Sequence, residues 1–298
     1  MLNWKPVITY VFLISTMGVV KPSIADNVFT YRSSEADNDS RNNYQVATLK
    51  LALEKTIAEY GTYRLIPSPS MTNPRAVSIM KHDALPNFIV KLSYQFDQAD
   101  NDLIYAPFPV DLGIVGYRIC FTSVWLNDEL NSISTLKELR KYTHGQGTGW
   151  SDSAILRFNG MSVVDIPNYE SLFHMVAKRR FDLFCRGINE LYAEHQSFKY
   201  IEDLTYNESF ALSYDLPRFF YTNKNNVSAI ERIQKGLVLA YQDGSLLALW
   251  KKHYQASVDF SKLQDRVIFR LHNPLLEGID PRYKDYFINL EKGLRSKN

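Results

Sequence analysis

Apolar positions along this chain form one uninterrupted run near the N-terminus and then segments that alternate between helical and strand-like periodicity. The run, VITYVFLISTMGVV, occupies Val7–Val20. One positive charge, Lys5, precedes it, and Ser23-Ile24-Ala25 follows, with small residues at the −3 and −1 positions relative to Asp26. A basic start, an apolar centre and a small-x-small exit describe a secretory signal peptide over residues 1–25. Fourteen residues in a helix reach only about 21 Å, short of the ~30 Å hydrocarbon core, so a membrane anchor is the poorer reading. No later stretch approaches 18 uninterrupted apolar residues, and no cysteine near the exit offers a lipid attachment point. The expectation is an exported, periplasmic protein, soluble after removal of the signal peptide.

Beyond Asp26 the pattern reads as layered α/β. A strand at Val28–Arg32 is followed by a polar loop. Val46, Leu49, Leu53, Ile57 and Tyr60 then mark one helix face, closed by Gly61. Tyr63–Ile66 reads as a strand, Asn73-Pro74 as a helix start, and Asn87–Leu92, Leu103–Ala106 and Gly116–Ser123 as strands. Thr135-Leu136-Lys137-Glu138 is a capping box. The loop Gly145-Gln-Gly-Thr-Gly-Trp-Ser-Asp152 feeds a helix over 153–158. A strand at Val163–Ile166, a helix capped by Asn168 and running to Arg180, a strand at Phe181–Cys185 and a helix at Ile188–His195 follow. Phe219–Thr222 leads into two helices separated by Gly244. Residues 255–298 show little periodicity and are expected to wrap the surface.

Charge narrows the partners. Lys+Arg total 34 and Asp+Glu 32, and loss of Lys5 and Lys21 with the signal peptide leaves 32 of each. Such a balance lacks the basic footprint that phosphate neutralisation requires, so no nucleic acid is expected. Export makes Cys120 and Cys185 disulfide candidates. Cross-strand disulfides are geometrically demanding, and buried free thiols are the expectation. The six histidines (82, 144, 174, 195, 253, 272) never fall at ligand spacing and there is no Cys-x-x-Cys, so neither metal nor cofactor is expected. No Gly-x-Ser-x-Gly elbow or Cys/His pairing signals an enzyme.

Three segments carry a family resemblance: ISTLKELRKYTHGQGTGWSDSAI (133–155), NYESLFHMVAKRRFDLFCRGINELYAEH (168–195) and YTNKNNVSAIERIQKGLVLAYQDGSLLALWKKHY (221–254). In this order and spacing the chain resembles the type II periplasmic solute-binding proteins, in particular a bacterial branch of uncharacterised ligands. The resemblance implies a two-lobed α/β fold with two crossover strands. Lobe 1 would comprise residues 26–115 and 220–256, lobe 2 residues 116–219, and residues 257–298 a C-terminal extension. It further implies a monomer whose lobes close by hinge motion on a small-molecule solute. Delivery to a membrane permease of the ABC-transporter type is the leading role. A ligand-sensing partner of a membrane receptor and a dehydratase-like enzyme on the same scaffold are the alternatives.

The implied site centres on the glycine loop. Alternating glycines free backbone N–H groups, and the helix behind favours an anion or a carbonyl oxygen. Thr148, Gly149, Trp150 and Ser151 are candidate contacts. Asp152 is divided evenly between ligand contact and helix cap. Tyr31 and Ser33, after the first strand, are weaker candidates. The amino-acid binders hold the ligand carboxylate with an Arg shortly before the first crossover, and Val90–Asn101 contains none. They also place an Asp four or five residues beyond the position of Asp182, where this chain has Arg186 or Gly187. Arg186, and behind it Arg118, could instead grip an anionic group bidentately. An ion pair with a neighbouring acid such as Glu190 is the competing reading, preferred for Arg118 and not for Arg186. The ligand expected is an anionic or neutral polar solute. Intact-mass measurement of secreted protein should show a chain beginning at Asp26; material that retains Met1 would refute the signal peptide.

Overall fold

The computed structural model describes residues 1, 27–33, 42–96 and 102–292; the expected signal peptide lies outside them, apart from Met1. Among the described residues no helix is long and apolar enough to cross a membrane. The first half runs β1 (Val28–Tyr31), α1 (Asn43–Lys55), α2 (Ile57–Tyr60), β2 (Arg64–Pro67), α3 (Asn73–Lys81), β3 (Phe88–Ser93) and β4 (Leu103–Tyr105). It continues through β5 (Tyr117–Ser123), α4 (Val124–Leu130), α5 (Leu136–Leu139), β6 (Thr143–Gly147), α6 (Ser151–Phe158), β7 (Ser162–Ile166) and α7 (Tyr169–Ala177). The chain then forms β8 (Phe184–Gly187), α8 (Ile188–Phe198), β9 (Leu204–Tyr206), β10 (Phe210–Ser213), β11 (Arg218–Asn223), α9 (Val227–Gln242), α10 (Ser245–Ser261) and β12 (Val267–Arg270).

Two sheets result. One has the order β2-β1-β3-β11-β4, parallel in its first three strands and antiparallel where β11 returns from the second half. The other has the order β12-β10-β5-β8, with β9 also on β5, and a bridge from His144 to Leu183 brings the parallel pair β6–β7 alongside β8. The chain passes between the sheets at residues 106–116 and 214–217. These two passages lie side by side: the Tyr214 N–H donates to the Gly116 carbonyl at 3.0 Å, and a Cβ on Gly116 would stand 2.6 Å from the Tyr214 carbonyl oxygen. Close backbone approach fixes glycine there.

Local chemistry explains where elements begin and break. The Thr135–Glu138 capping box forms, with Glu138 N–H on Thr135 Oγ1 at 3.3 Å and Thr135 N–H on the Glu138 carboxylate at 3.0 Å. Asn168 caps α7 by accepting from Ser171 N–H at 2.9 Å. The single helix expected across Val46–Tyr60 is interrupted at Thr56. Its hydroxyl donates to the Ala52 and Leu53 carbonyls at 3.1 and 3.0 Å, the back-bonding that competes with helix continuation. It also receives a hydrogen bond from buried Arg232 at 3.1 Å.

Two expectations are corrected. Cys120 and Cys185 are not free thiols but a disulfide, because β5 and β8 pair in the register that sets the two residues directly opposite, with Cα atoms 3.7 Å apart. Nor does the C-terminal part merely wrap the surface. α10 continues to Ser261, and β12 then adds a parallel strand to β10, so the extension completes the second sheet.

Beside the disulfide lies His144, fully buried, its Nδ1 3.7 Å from Cys185 Sγ. Burial lowers its pKa to about 4, against a small upward pull from Asp182. The folded imidazole therefore stays neutral while the unfolded one, near 6.5, takes a proton. The stability is present above pH ~6.5 and is lost as pH falls towards 4, by up to about 3 kcal/mol. In urea unfolding at pH 7 and pH 4.5, His144→Gln should remove that part of the acid destabilisation; an equal drop in both proteins would contradict it.

Candidate functional site

The ends of β5, β6 and β8, the N-termini of α6 and α8, and the segment after β3 meet where the two sheets face each other. Antiparallel register sets Arg118 of β5 opposite Gly187 of β8. Arg118 is 1% exposed, and its Nη2 stands 2.9 Å from Asp152 Oδ1 in the first turn of α6. Tyr214, on the second passage, donates its hydroxyl to the same Asp152 oxygen at 2.5 Å, and its ring lies 5.4 Å from the Arg118 guanidinium carbon. Burial, the largest single influence, would lower the Arg118 pKa, but Asp152, with Tyr214 and Glu190 adding to it, holds the guanidinium above its ordinary value. Burial pushes the Tyr214 hydroxyl far up, which keeps it a donor.

Arg186 is 4% exposed and sits in a cage of two carboxylates and three rings. It bonds Glu190 at 2.5 Å and Glu194 at 2.7 Å, and its guanidinium carbon lies 4.6 Å from the Trp150 ring centre, 5.3 Å from Phe184 and 5.6 Å from Tyr169. Cation–π contacts of this kind contribute about 2 kcal/mol when desolvated. Tyr169 donates to Glu194 at 2.6 Å. Burial raises the Glu194 carboxyl above the ordinary range; Arg186 pulls it back and the Glu190 charge adds to the rise.

On the first sheet, Lys91 of β3 bonds Asp111 at 2.7 Å, both almost fully buried. Burial lowers the Lys91 pKa, with Asp111 opposing and Arg218 reinforcing the drop. The two halves touch where Gln95, after β3, donates to Ser151 Oγ at 2.6 Å. Several polar atoms around this junction are buried without a hydrogen-bond partner: Arg118 Nε, Asn189 Oδ1, both amide atoms of Gln146, and Asp111 Oδ2. Asn189 Oδ1 and Arg118 Nη1 lie 2.3 and 3.3 Å from the place where a Gly187 Cβ would stand, so glycine leaves room between them.

Such an arrangement, two sheets linked by paired passages with polar groups converging between them, is the type II periplasmic-binding-protein architecture, and solved structures share it. The chain has the type II periplasmic-binding-protein fold. An ancestral arginine-binding protein, solved with arginine, matches with TM-score 0.56 at 14% identity, over 76% of this chain and 98% of its own. A Legionella pneumophila periplasmic binding protein of an arginine transport system matches with TM-score 0.54 at 14% identity, over 77% and 99%. Bacillus subtilis YckB matches with TM-score 0.54 at 16% identity, over 82% and 96%. No protein-family model and no curated protein sequence matches the chain.

Within this binding-protein fold, the residues singled out in the sequence divide into three groups. Arg118, Trp150, Ser151, Asp152, Arg186 and Glu190 come together at the junction. Thr148 and Gly149 form the exposed tip of the loop, a turn closed by Trp150 N–H on the Gly147 carbonyl at 3.0 Å with Gly149 at φ 79°. The Thr148 N–H is already spent on Ile166 at 3.1 Å. Tyr31 and Ser33 lie on the first sheet's side, lining with Asn42, Val46 and Lys50 a cavity of about 420 Å³, and Ser33 donates to the Ser68 carbonyl at 2.5 Å. Asp152 makes no capping hydrogen bond in α6, and neither it nor Glu190 is a solvated acid. Arg186, for which ligand contact was the first reading, carries its own carboxylates. Lys91, Asp111, Glu194, Tyr214 and Asn189 were missed; of these, Glu194 had a signal, since it sits one helical turn beyond Glu190 and two turns from Arg186. Among the described residues no group of three or more His, Cys, Asp or Glu could hold a metal ion.

Asp152→Asn leaves a buried guanidinium without its counter-charge and should cost about 3–5 kcal/mol. Asp102→Asn, which breaks the exposed pair with Lys224, should cost under about 1 kcal/mol. Urea denaturation of the two variants measures the contrast, and similar losses would mean that Asp152 does not neutralise Arg118.

Proposed function

We propose that this chain is an exported solute-binding protein that closes on a small polar solute of zero net charge and presents it to a membrane transporter. The observation that carries the reading is the set of unpartnered polar atoms at the junction. Arg118 Nε offers a donor, Asn189 Oδ1 an acceptor and Gln146 one of each, all buried. Leaving such atoms unpaired costs about 1–3 kcal/mol apiece, and a solute with both donors and acceptors removes that cost as the lobes close. The neutral preference follows from the ion pairs. Arg118, Arg186 and Lys91 each have a carboxylate within 2.9 Å. A bound anion would have to compete with those carboxylates for the same guanidinium and ammonium groups.

The named ligands and transport role of the similar structures agree with solute capture, while the Arg in place of the expected acid near 186 argues against an ordinary α-amino acid. Thermal-shift screening of neutral polyols, sugars and amides, monocarboxylates and amino acids tests the reading. A neutral polar solute should stabilise the protein at submillimolar concentration, and Asn189→Ala should weaken that effect about tenfold, the equivalent of one buried hydrogen bond. Stabilisation confined to monocarboxylates or amino acids, or unaltered by Asn189→Ala, would overturn it.

A further inference from the structure

After α10 the C-terminal segment crosses the junction twice, to the second sheet and back to the first. The solved structures match over nearly their whole length and span 76–82% of this chain. After α10 the chain enters the second sheet as β12, and Leu271 N–H donates to the Ser213 carbonyl at 2.8 Å. The His272 backbone is then fixed to the side-chain amide of Asn159, at the end of α6: Asn159 Nδ2 donates to the His272 carbonyl at 2.7 Å and His272 N–H donates to Asn159 Oδ1 at 3.0 Å. Five residues further on, the Glu277 carbonyl accepts from Tyr94 Oη at 3.1 Å, on the first sheet's side. Leu276, Ile279 and Tyr283 join the apolar cluster of Met71, Phe88, Tyr94 and Phe219 beneath β3 and β11.

The same segment holds both passages between the lobes. Asn273 Nδ2 donates to the Asp215 carbonyl at 2.8 Å and Lys284 pairs with the Asp215 carboxylate at 2.6 Å. Ile288 N–H donates to the Leu112 carbonyl at 3.0 Å, and the Phe287 ring covers Gly113. Tyr117 donates to Glu291 at 3.0 Å.

We propose that residues 267–291 are a strap that limits how far the two lobes can open. Between the last anchor on the second lobe, His272, and the first on the first lobe, Glu277, five residues reach at most about 17 Å when fully extended. In the structure Pro274–Leu276 is wound as a 3₁₀ turn. Unwinding it releases about 4 Å, since that helix rises ~2.0 Å per residue against ~3.4 Å extended. Opening by more than this slack must break an anchor, so the ligand-free protein stays close to the lobe arrangement described here.

The test lengthens the strap and leaves every anchor in place. Gly-Ser-Gly-Ser inserted after Leu275 adds about 13 Å of reach. Spin labels at Arg75→Cys and Lys199→Cys, exposed positions on the two lobes, report inter-lobe distance by double electron–electron resonance without solute. The native cysteines, being disulfide-bonded, take no label. The unmodified strap should give one narrow distance distribution, and the lengthened strap a second population longer by at least about 5 Å. A second variant, Asn159→Ala with Tyr94→Phe, removes the two anchors that flank the turn and should show the same shift. A broad, open distribution already present with the native strap, or identical distributions with native and lengthened straps, would overturn the proposal. Either result bears on the strap alone and leaves the identity of the solute untouched.

Discussion

A guanidinium moved from water into a protein interior must bring its counter-charge with it, and the junction of this molecule is organised around that requirement. Arg118 and Arg186 lie within one residue-pair of each other across β5 and β8, at 1% and 4% exposure. Unpaired, each would carry a desolvation penalty of several kcal/mol. α6 therefore starts where Asp152 can reach Arg118, and α8 where Glu190 and Glu194, on successive turns, can reach Arg186. Trp150 closes over the second pair, and that placement is possible because Gly147 has no side chain: a Cβ there would lie 2.3 Å from the indole. The glycine loop thus owes its composition as much to packing around an ion pair as to any ligand.

This division of labour shows why the sequence was readable in some respects and opaque in others. Elements declared themselves through local chemistry: Thr135 with Glu138, Asn168 before α7, Gly61 at φ 76° closing α2. The resemblance placed them in a two-lobed order that the sheets reproduce. What is set by register was not readable. Cys120 and Cys185 were visible as strand residues, but that β5 meets β8 with those two opposite is a property of the folded sheet. Lys91 and Asp111, 20 positions apart on different elements, became partners only through the first passage between lobes. The strap went unrecognised for a related reason. Its anchors are isolated backbone groups, scattered polar side chains and aromatic rings, which leave no periodic trace.

Net interactions at the junction are strong within each lobe and sparse between the lobes. The buried ion pairs join residues of one half to residues of the same half: Arg118 to Asp152, Arg186 to Glu190 and Glu194, Lys91 to Asp111. Direct polar contact across the facing surfaces is represented by Gln95 and Ser151. Such a surface has been charge-balanced in advance. It needs no ligand to stay folded, and separating the lobes exposes no unpaired ion. The energetic penalty for opening is then small at the cleft itself, and what holds the lobes near each other has to come from elsewhere.

α10 and the C-terminal segment supply that restraint from two places. α10 bridges from α1 and α9 to α8, where Ser257 donates to the Ile188 carbonyl and accepts from Tyr192 N–H at 3.0 Å, beside the first passage. The C-terminal segment links Asn159 on the second lobe to Tyr94 on the first. Once such a segment joins the two lobes, the length of chain between its anchors sets the amplitude of the hinge. Charge balance at the facing surfaces and restraint by the chain behind them are therefore complementary. The first removes the electrostatic drive that would otherwise clamp or repel the lobes, and the second sets the range over which a neutral solute's few hydrogen bonds can decide between open and closed.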